Sequence, residues 1–319
     1  MNILIGGTFP PGAVEMFLKL LSSNHNIEVV TDIEQFNKKR NVEVLITRAF
    51  KVTKEFIDQN KDLKFIQKWG SGLNTIDVAE AGKRGIPVSN VPGANAYAVS
   101  ELTILLMLAT YRNFLFHNRN MVKGIWTKAQ NIESTYCLYK KTIGIIGGGH
   151  IGQLVAKKVS AFDAEVIYYD VFRQPEEVEK EYHMRYVTLD QLLKTSDVVT
   201  IHIPLNEKTR GFIGREQLKM MKPTSIIINS ARGGLIVESD LIQALDEGVI
   251  LGAGIDCIEH EPIDPKDPIL KHEKVTLTPH VGGTSNDLLG EMVPRMAKNV
   301  NRFLKGEEPK SVANSEYLH

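Results

Sequence analysis

Short β-branched runs alternate with helical patterns from one end of this chain to the other, and that alternation restricts the fold more than any other feature. NILI, IEVV, VEVLIT, KFIQ and PVSN read as strands within the first hundred residues, with the amphipathic stretches AVEMFLKLL and TKEFIDQ between them. A second series starts at Thr142 with TIGII, EVIYYD, DVVTIHI, SIIINS, GAGID and VTLT, spaced by helical patterns such as IGQLVAKKVSAF and ESDLIQALDEG. Strands that alternate with helices build parallel sheets covered on both faces. The expected fold class is therefore α/β, with two doubly wound parallel-sheet domains, and 319 residues suffice for two such cores. The segment EEVEKEY is mostly charge and reads as solvated surface. Past Gly283 one more helical pattern runs over 286–303, long enough to reach back to the first domain. This predicts a discontinuous, smaller, flavodoxin-like domain of residues 1–100 and 285–319, a second domain of residues 101–284 inserted into it, and a cleft between the two.

Charge narrows the partners. The 38 basic and 38 acidic residues cancel, which gives no electrostatic footprint for nucleic acid or an anionic membrane. The start, MNILIGG, lacks the basic and apolar pattern of a signal peptide, and the apolar run in ELTILLMLATYR is too short to span a bilayer. Cys137 and Cys257 lack metal-ligand spacing and read as two small buried thiols in a reducing compartment, so no metal and a cytoplasmic location are expected.

In TIGIIGGGHIGQLVAKKV, Gly147, Gly149 and Gly152 form a GxGxxG turn that follows a strand and opens a helix, and Asp170 ends the next strand. That context turns a weak motif into a dinucleotide fingerprint. The glycines let backbone approach a pyrophosphate, and the amides of His150 and Ile151 begin a helix whose N-terminus favours negative charge. His150 is expected to contribute backbone rather than its ring. The Asp170 carboxylate suits ribose hydroxyls and repels a 2′-phosphate by about 4 kcal/mol at 4 Å and an effective dielectric near 20. NAD is thus expected over NADP, although Arg173 can offset part of that repulsion.

Three strands of the second series run into an ionisable residue. SIIINSARGG presents Arg232, LGAGIDCIEHEP presents Glu261 and VTLTPH presents His280. In an open parallel sheet, ligands bind outside the carboxyl ends of the strands. Reduction of a ketone needs a proton donor at the carbonyl oxygen, and histidine serves as acid and base near neutral pH. A neighbouring carboxylate favours the imidazolium and fixes the ring, while an arginine fork holds a substrate carboxylate and polarises the carbonyl beside it. The combination points to a 2-oxo acid interconverted with a 2-hydroxy acid.

GGGHIG with Asp170, NSARGGLI, GAGIDCIEHEP and TPHVGG, in this order, resemble the D-isomer-specific 2-hydroxyacid dehydrogenases over nearly the whole chain, and within them the phosphoglycerate dehydrogenase-like members. The resemblance implies that the inserted domain is an NAD-binding Rossmann domain, that the domain built from both chain ends binds substrate, and that Arg232, Glu261 and His280 are the catalytic trio. It implies that Asp256 meets the nicotinamide carboxamide, and that Ile203, Ser230 and the turn from His280 through Gly282 to Gly283 line the cofactor. It also places the substrate-carboxylate loop at KWGSGLNTID, where Ser71 and Gly72 offer amides and Ser71 lies near the cofactor. Family members are commonly homodimers, with the ELTILLMLATYRNF region near the contact.

The substrate is less constrained. Arg48 and Lys68, near strand tips of the first series, can receive a second anionic group, which makes 3-phosphoglycerate a candidate beside a general glyoxylate or hydroxypyruvate reductase. Trp69 stands where those relatives lead one to expect a small residue, and either narrows the pocket or packs. Formate oxidation releases no hydroxyl proton and needs no Glu–His pair, so Glu261 with His280 argues against a formate dehydrogenase. A non-catalytic NAD-sensing scaffold is the alternative from outside the enzymes, and the three intact catalytic positions argue against it.

Overall fold

The computed structural model describes residues 1–22 and 24–318, so the last residue of the expected discontinuous domain, His319, lies outside the described residues. In chain order the N-terminal segment contains β1 (Asn2–Gly7), α1 (Ala13–Leu20), β2 (Asn26–Val30), α2 (Ile33–Asn37), β3 (Val44–Arg48), α3 (Lys54–Gln59), β4 (Phe65–Lys68), α4 (Val78–Lys83) and β5 (Val88–Ser89). The middle segment opens with α5 (Ala96–Tyr111) and α6 (Phe114–Val122). It continues through β6 (Thr142–Ile146), α7 (His150–Ser160), β7 (Glu165–Tyr169), α8 (Glu176–Glu181), β8 (Met184–Tyr186), α9 (Leu189–Thr195) and β9 (Val198–Ile201). It ends with α10 (Arg215–Lys219), β10 (Ile226–Asn229), α11 (Glu238–Asp246), β11 (Gly252–Ile255) and β12 (Val275–Leu277), after which α12 (Leu288–Leu304) follows. The chain divides into two compact units, one of Met1–Asn95 with the segment from Thr284 onward, the other of Ala96–Gly283. The fold is α/β with two parallel sheets, as the alternation predicts.

The first unit holds a five-stranded sheet in the order β2-β1-β3-β4-β5, parallel throughout, which is the flavodoxin-like order. Its central strands are buried on both faces, which is why they read as continuous apolar runs rather than alternations. The side chains of Asp32, Thr53 and Asp77 cap α2, α3 and α4. Helix α12 turns Leu288, Met292, Val293, Met296, Ala297 and Val300 inward and packs on α1 and β4. Asn299 of α12 donates to the Gln67 side chain at 2.7 Å, and the Phe303 ring stacks on Phe65 at 4.8 Å. Further on, Asn314 accepts from the Val88 amide at 2.8 Å and donates to the Ile86 carbonyl at 3.0 Å. Strand tips of this unit thus depend on residues more than two hundred positions away.

The second unit holds a seven-stranded parallel sheet, β12-β11-β10-β9-β6-β7-β8. The order reverses at β6, so the turns after β6 and β9 diverge there and leave a crevice at the carboxyl edge. Helix α5 is mostly apolar and lies against β10 and β11, with Tyr97, Glu101 and Leu105 along its exposed face. The charged segment EEVEKEY is mostly exposed, as read from the sequence, with one exception. It forms α8 and buries Glu179, whose carboxylate accepts from the Tyr168 hydroxyl at 2.8 Å. A second correction concerns the cysteines: Cys257 is buried but Cys137 is exposed.

Candidate active site

Arg232, Glu261 and His280 follow β10, β11 and β12, three adjacent strands at one side of the seven-stranded sheet. Asn229, at the end of β10, is 1% exposed and folds the first of these turns. Its side-chain oxygen accepts from the Ala231 amide at 3.0 Å and its amide donates to the Arg232 carbonyl at 2.8 Å. Gly233 comes next because the backbone after β11 runs against it: a Cβ there would lie 1.9 Å from the Ile258 carbonyl. The turns that carry Arg232 and Glu261 are therefore pressed together by the absence of one side chain.

His280 has φ 53, a left-handed backbone that non-glycine residues adopt only when the surroundings hold them there. Asp256 does the holding. Its carboxylate is 2% exposed and accepts from the Thr278 hydroxyl at 2.6 Å, the Val281 amide at 2.9 Å and the Gly282 amide at 2.9 Å. The Asp256 carbonyl accepts from the His280 amide at 2.7 Å. So placed, the ring nitrogen Nδ1 of His280 lies 2.7 Å from Oε2 of Glu261, with both side chains about two-fifths exposed. Burial pushes the Glu261 carboxyl up, but the His280 hydrogen bond and charge, the Ile258 amide and the Arg232 charge outweigh it and hold the group below the usual carboxylate range. Behind the pair, Cys257 donates its thiol to the Ala231 carbonyl at 3.3 Å, and burial drives its pKa far up. One ligand-type atom each from Cys257, Glu261 and His280 lies within 4.8 Å of the others.

Across the same sheet edge, Gly147, Gly149, His150, Ile151 and Gly152 form the turn from β6 into α7. A Cβ on Gly152 would lie 2.1 Å from the Gly147 carbonyl, so only glycine lets the helix start this close to the strand. Asp170, just past β7, accepts from the Gly148 amide at 2.8 Å, which ties the acidic residue to the glycine turn. Ile203 borders Gly147, whereas the Ser230 hydroxyl is turned to Thr103 of α5 at 2.7 Å.

A scan against family profiles matches residues 104–282 to the D-isomer specific 2-hydroxyacid dehydrogenase, NAD binding domain. The chain belongs to that family. This dehydrogenase is 36% identical to a glyoxylate reductase of Thermococcus litoralis, over 94% of each chain. It is 39% identical to a D-3-phosphoglycerate dehydrogenase of Methanocaldococcus jannaschii, covering 93% of this chain and 57% of that one. Among solved structures, a glyoxylate reductase from Paecilomyes thermophila superposes with a TM-score of 0.88 at 29% identity, over 98% of both chains. The protein is accordingly an NAD-dependent oxidoreductase of a family that acts on small 2-oxo and 2-hydroxy acids.

The residues fit NAD. At Gly149 a Cβ would meet nothing within 4 Å, which marks open space in front of the α7 N-terminus. No side chain caps that terminus, so its first amides face the space unpaired by a cap. Gly147, Gly149, His150, Ile151 and Gly152 would hold the pyrophosphate, and Asp170 keeps lone pairs beyond its bond to Gly148 for ribose hydroxyls.

Arg48, Lys68, Trp69, Ser71 and Gly72 belong to the first unit of the dehydrogenase. Ser71 and Gly72 lie in the loop after β4, where the Gly70 and Ser71 carbonyls accept from Val91 and Asn90, while the amides of Ser71 and Gly72 have no acceptor among the described residues. Arg48 donates to the Thr8 carbonyl and lies 5.8 Å over the Trp69 ring. Lys68 is buried and donates to the Trp69 carbonyl at 3.1 Å. Trp69 packs edge-on against Phe9 and Phe17, so the bulky ring is part of the core. Arg173, expected to offset the charge of Asp170, is instead paired with Glu179. Sequence reasoning missed Asn229, Thr278 and the depth of Asp256; their only signal was a short polar residue just inside or outside a strand end. It also missed His202 beside the glycine turn, which burial pushes down to about 3 and keeps neutral, with Nε2 3.0 Å from the Thr200 hydroxyl and Nδ1 unpartnered among the described residues.

Proposed function

We propose that the protein reduces a small, singly charged 2-oxo acid such as glyoxylate or hydroxypyruvate to the corresponding 2-hydroxy acid with NADH, giving the D-isomer where the new carbinol carbon is a stereocentre. The observation that carries this reading is the 2.7 Å His280–Glu261 pair, on the same sheet edge as Arg232 and the glycine turn. When bound, NADH supplies the hydride for the carbonyl carbon. Glu261, ionised and bonded at Nδ1, fixes the His280 ring so that Nε2 holds a proton for the carbonyl oxygen, or receives it in the reverse direction. Arg232 pairs with the substrate carboxylate and polarises the carbonyl, and the first unit offers the free amides of Ser71 and Gly72 as anion donors of its own. In this reading residues 101–284 bind NAD, with Asp170 on the ribose and Ile203, Ser230, Asp256, Gly282 and Gly283 around the rest, while residues 1–100 and 285–319 bind substrate.

The size of the acid follows from Arg48 and Lys68. Arg48 is held between the Thr8 carbonyl and the Trp69 ring, and Lys68 is buried and donates to the Trp69 carbonyl, which suits structural roles better than capture of a second anion. The second reading, a doubly anionic acid such as 3-phosphoglycerate, draws on the same two cations and on the likeness to the phosphoglycerate dehydrogenase. A homodimer completes the proposal. Val122, Ile125 and Trp126 are exposed, Val122 at 80% and Trp126 at 73%, and such a cluster marks an association surface. Two free thiols suit the reducing cytoplasm.

The test is NADH oxidation across glyoxylate, hydroxypyruvate, pyruvate, oxaloacetate, sulfopyruvate and 3-phosphohydroxypyruvate, with wild type and His280→Ala. Glyoxylate or hydroxypyruvate should give the highest kcat/KM, and His280→Ala should lose about 10²–10⁴-fold in turnover while NADH still quenches protein fluorescence. A tenfold or greater preference for 3-phosphohydroxypyruvate that Arg48→Ala abolishes would replace the small acid by the doubly anionic one. Equal turnover by His280→Ala would remove His280 from the chemistry, and NADH binding without turnover of any acid would favour a scaffold.

A further inference from the structure

The carboxylate of Glu179 takes both arms of the Arg173 guanidinium. Nε of Arg173 lies 2.9 Å from Oε1 and Nη2 lies 2.9 Å from Oε2, a two-pronged fork of the kind that fixes an arginine in place. Glu179 is only 9% exposed. It is anchored a second time by the Tyr168 hydroxyl, which in turn accepts from the Gln174 amide at 2.8 Å. The guanidinium also lies 5.9 Å over the Tyr186 ring, and the Tyr186 hydroxyl donates to the Asp170 carbonyl at 3.4 Å. The Arg173 bond holds Glu179 below the usual carboxylate range, so the acid is ionised at neutral pH. Arg173 is three residues from Asp170, on the loop that leaves β7, and a cation there is what a 2′-phosphate on the adenine ribose requires. Although its side chain is 62% exposed, the guanidinium is already paired, through both prongs, with a partner buried in the same unit.

We propose that Glu179 is a specificity-determining residue for the cofactor: by holding Arg173 it keeps that guanidinium away from a 2′-phosphate, and so it excludes NADP together with Asp170. The inference rests on the reading that Asp170 meets the ribose. It gives NAD preference two separate causes, repulsion by Asp170 and withdrawal of Arg173 by Glu179. Removal of the first leaves a site with no repelling charge but no attracting one. Removal of the second alone leaves Asp170 to repel.

A double-mutant cycle separates these contributions. Asp170→Ser, Glu179→Gln and the double variant are compared with wild type in kcat/KM for NADH and NADPH and in the Kd of adenosine 2′,5′-bisphosphate, which binds without reacting. Glutamine keeps an acceptor for Tyr168, and the thermal midpoint reports whether the fold survives. Glu179→Gln alone should leave NADH kinetics within about threefold, since Glu179 touches no reacting group. The double variant should use NADPH, and bind the bisphosphate, at least about tenfold better than the product of the single changes implies. Adding Arg173→Ala should abolish that excess. Additive single effects, or an excess that survives Arg173→Ala, would overturn the role of Glu179. An Asp170→Ser variant with unchanged NADH KM would show that the ribose reading itself is wrong, and the inference would fall with it.

Discussion

Asp256→Asn should disable the enzyme with almost no change in shape. The wild-type carboxylate closes the 278–282 turn with three hydrogen bonds and is 2% exposed. An asparagine that keeps its oxygen toward Thr278 and Val281 must aim its NH2 at the Gly282 amide, setting donor against donor. One bond to a charged acceptor is lost, at about 1.5–3 kcal/mol, and the two that remain drop to neutral strength, roughly half. His280 sits in this turn at φ 53, a conformation that costs roughly 1–2 kcal/mol for a residue with a Cβ, so the weakened turn has an incentive to relax. A net loss of about 3 kcal/mol in the poised turn corresponds to roughly a hundredfold in rate, at 1.36 kcal/mol per tenfold. Steady-state reduction of the best 2-oxo acid, with the Kd of NADH from fluorescence quenching, reads the outcome. The expected result is kcat down by about two orders of magnitude with the NADH Kd changed by less than tenfold. Turnover within threefold of wild type would refute the turn-holding role of Asp256. Loss confined to NADH affinity, with kcat kept, would leave Asp256 a role on the cofactor alone.

Two further outcomes follow from features of the same unit. The Glu261 carboxyl lies below its ordinary 4.5 in the folded protein, so its contribution to stability is complete above its unfolded pKa and disappears as pH falls through the lower folded value. The thermal midpoint of wild type should therefore exceed that of Glu261→Gln above the ordinary carboxylate range, and the margin should shrink as pH falls below it; a margin undiminished in acid would contradict the pairing. Val122→Glu with Trp126→Glu places charges on side chains that are 80% and 73% exposed and should give a monomer by light scattering with an unchanged thermal midpoint, whereas an intact dimer would put the contact elsewhere.

The residues that chemistry needs were legible because each lies in the turn that follows a strand. Arg232, Glu261 and His280 stand where apolar runs stop, and a parallel sheet brings such positions to one edge whatever the intervening loops do. What held them was not legible. Asp256 reads as one more strand-end acid, and only the three-dimensional turn shows its carboxylate facing inward to three donors. Strand β8 escaped because it has three residues with Arg185 at its centre, too short and too charged for an alternation to show. Helix α8 was missed for a related reason: its inward residue is Glu179, satisfied by Tyr168 and Arg173, and a search for apolar periodicity is blind to a polar inner face. The same blindness left Arg173 as a free cation beside Asp170. Trp69 was ambiguous in the sequence because a bulky ring beside a glycine loop can serve a pocket or a core, and the neighbours that decide, Phe9 and Phe17, are fifty residues or more away.

The return of α12 to the first unit also sets an order of events during synthesis. The second unit is one uninterrupted stretch, Ala96–Gly283, whereas the first lacks α12, Asn299 and Asn314 until the ribosome has passed all of it. At about 5–20 residues per second, the N-terminal sheet waits on the order of ten seconds or more with the β4 and β5 tips unlatched and the apolar face of α1 uncovered. The nucleotide-binding unit can fold during that interval; the other cannot finish. Chains stalled before residue 299 should thus expose one finished domain and one sticky half-domain, and the half-domain is where a chaperone would be expected to dwell.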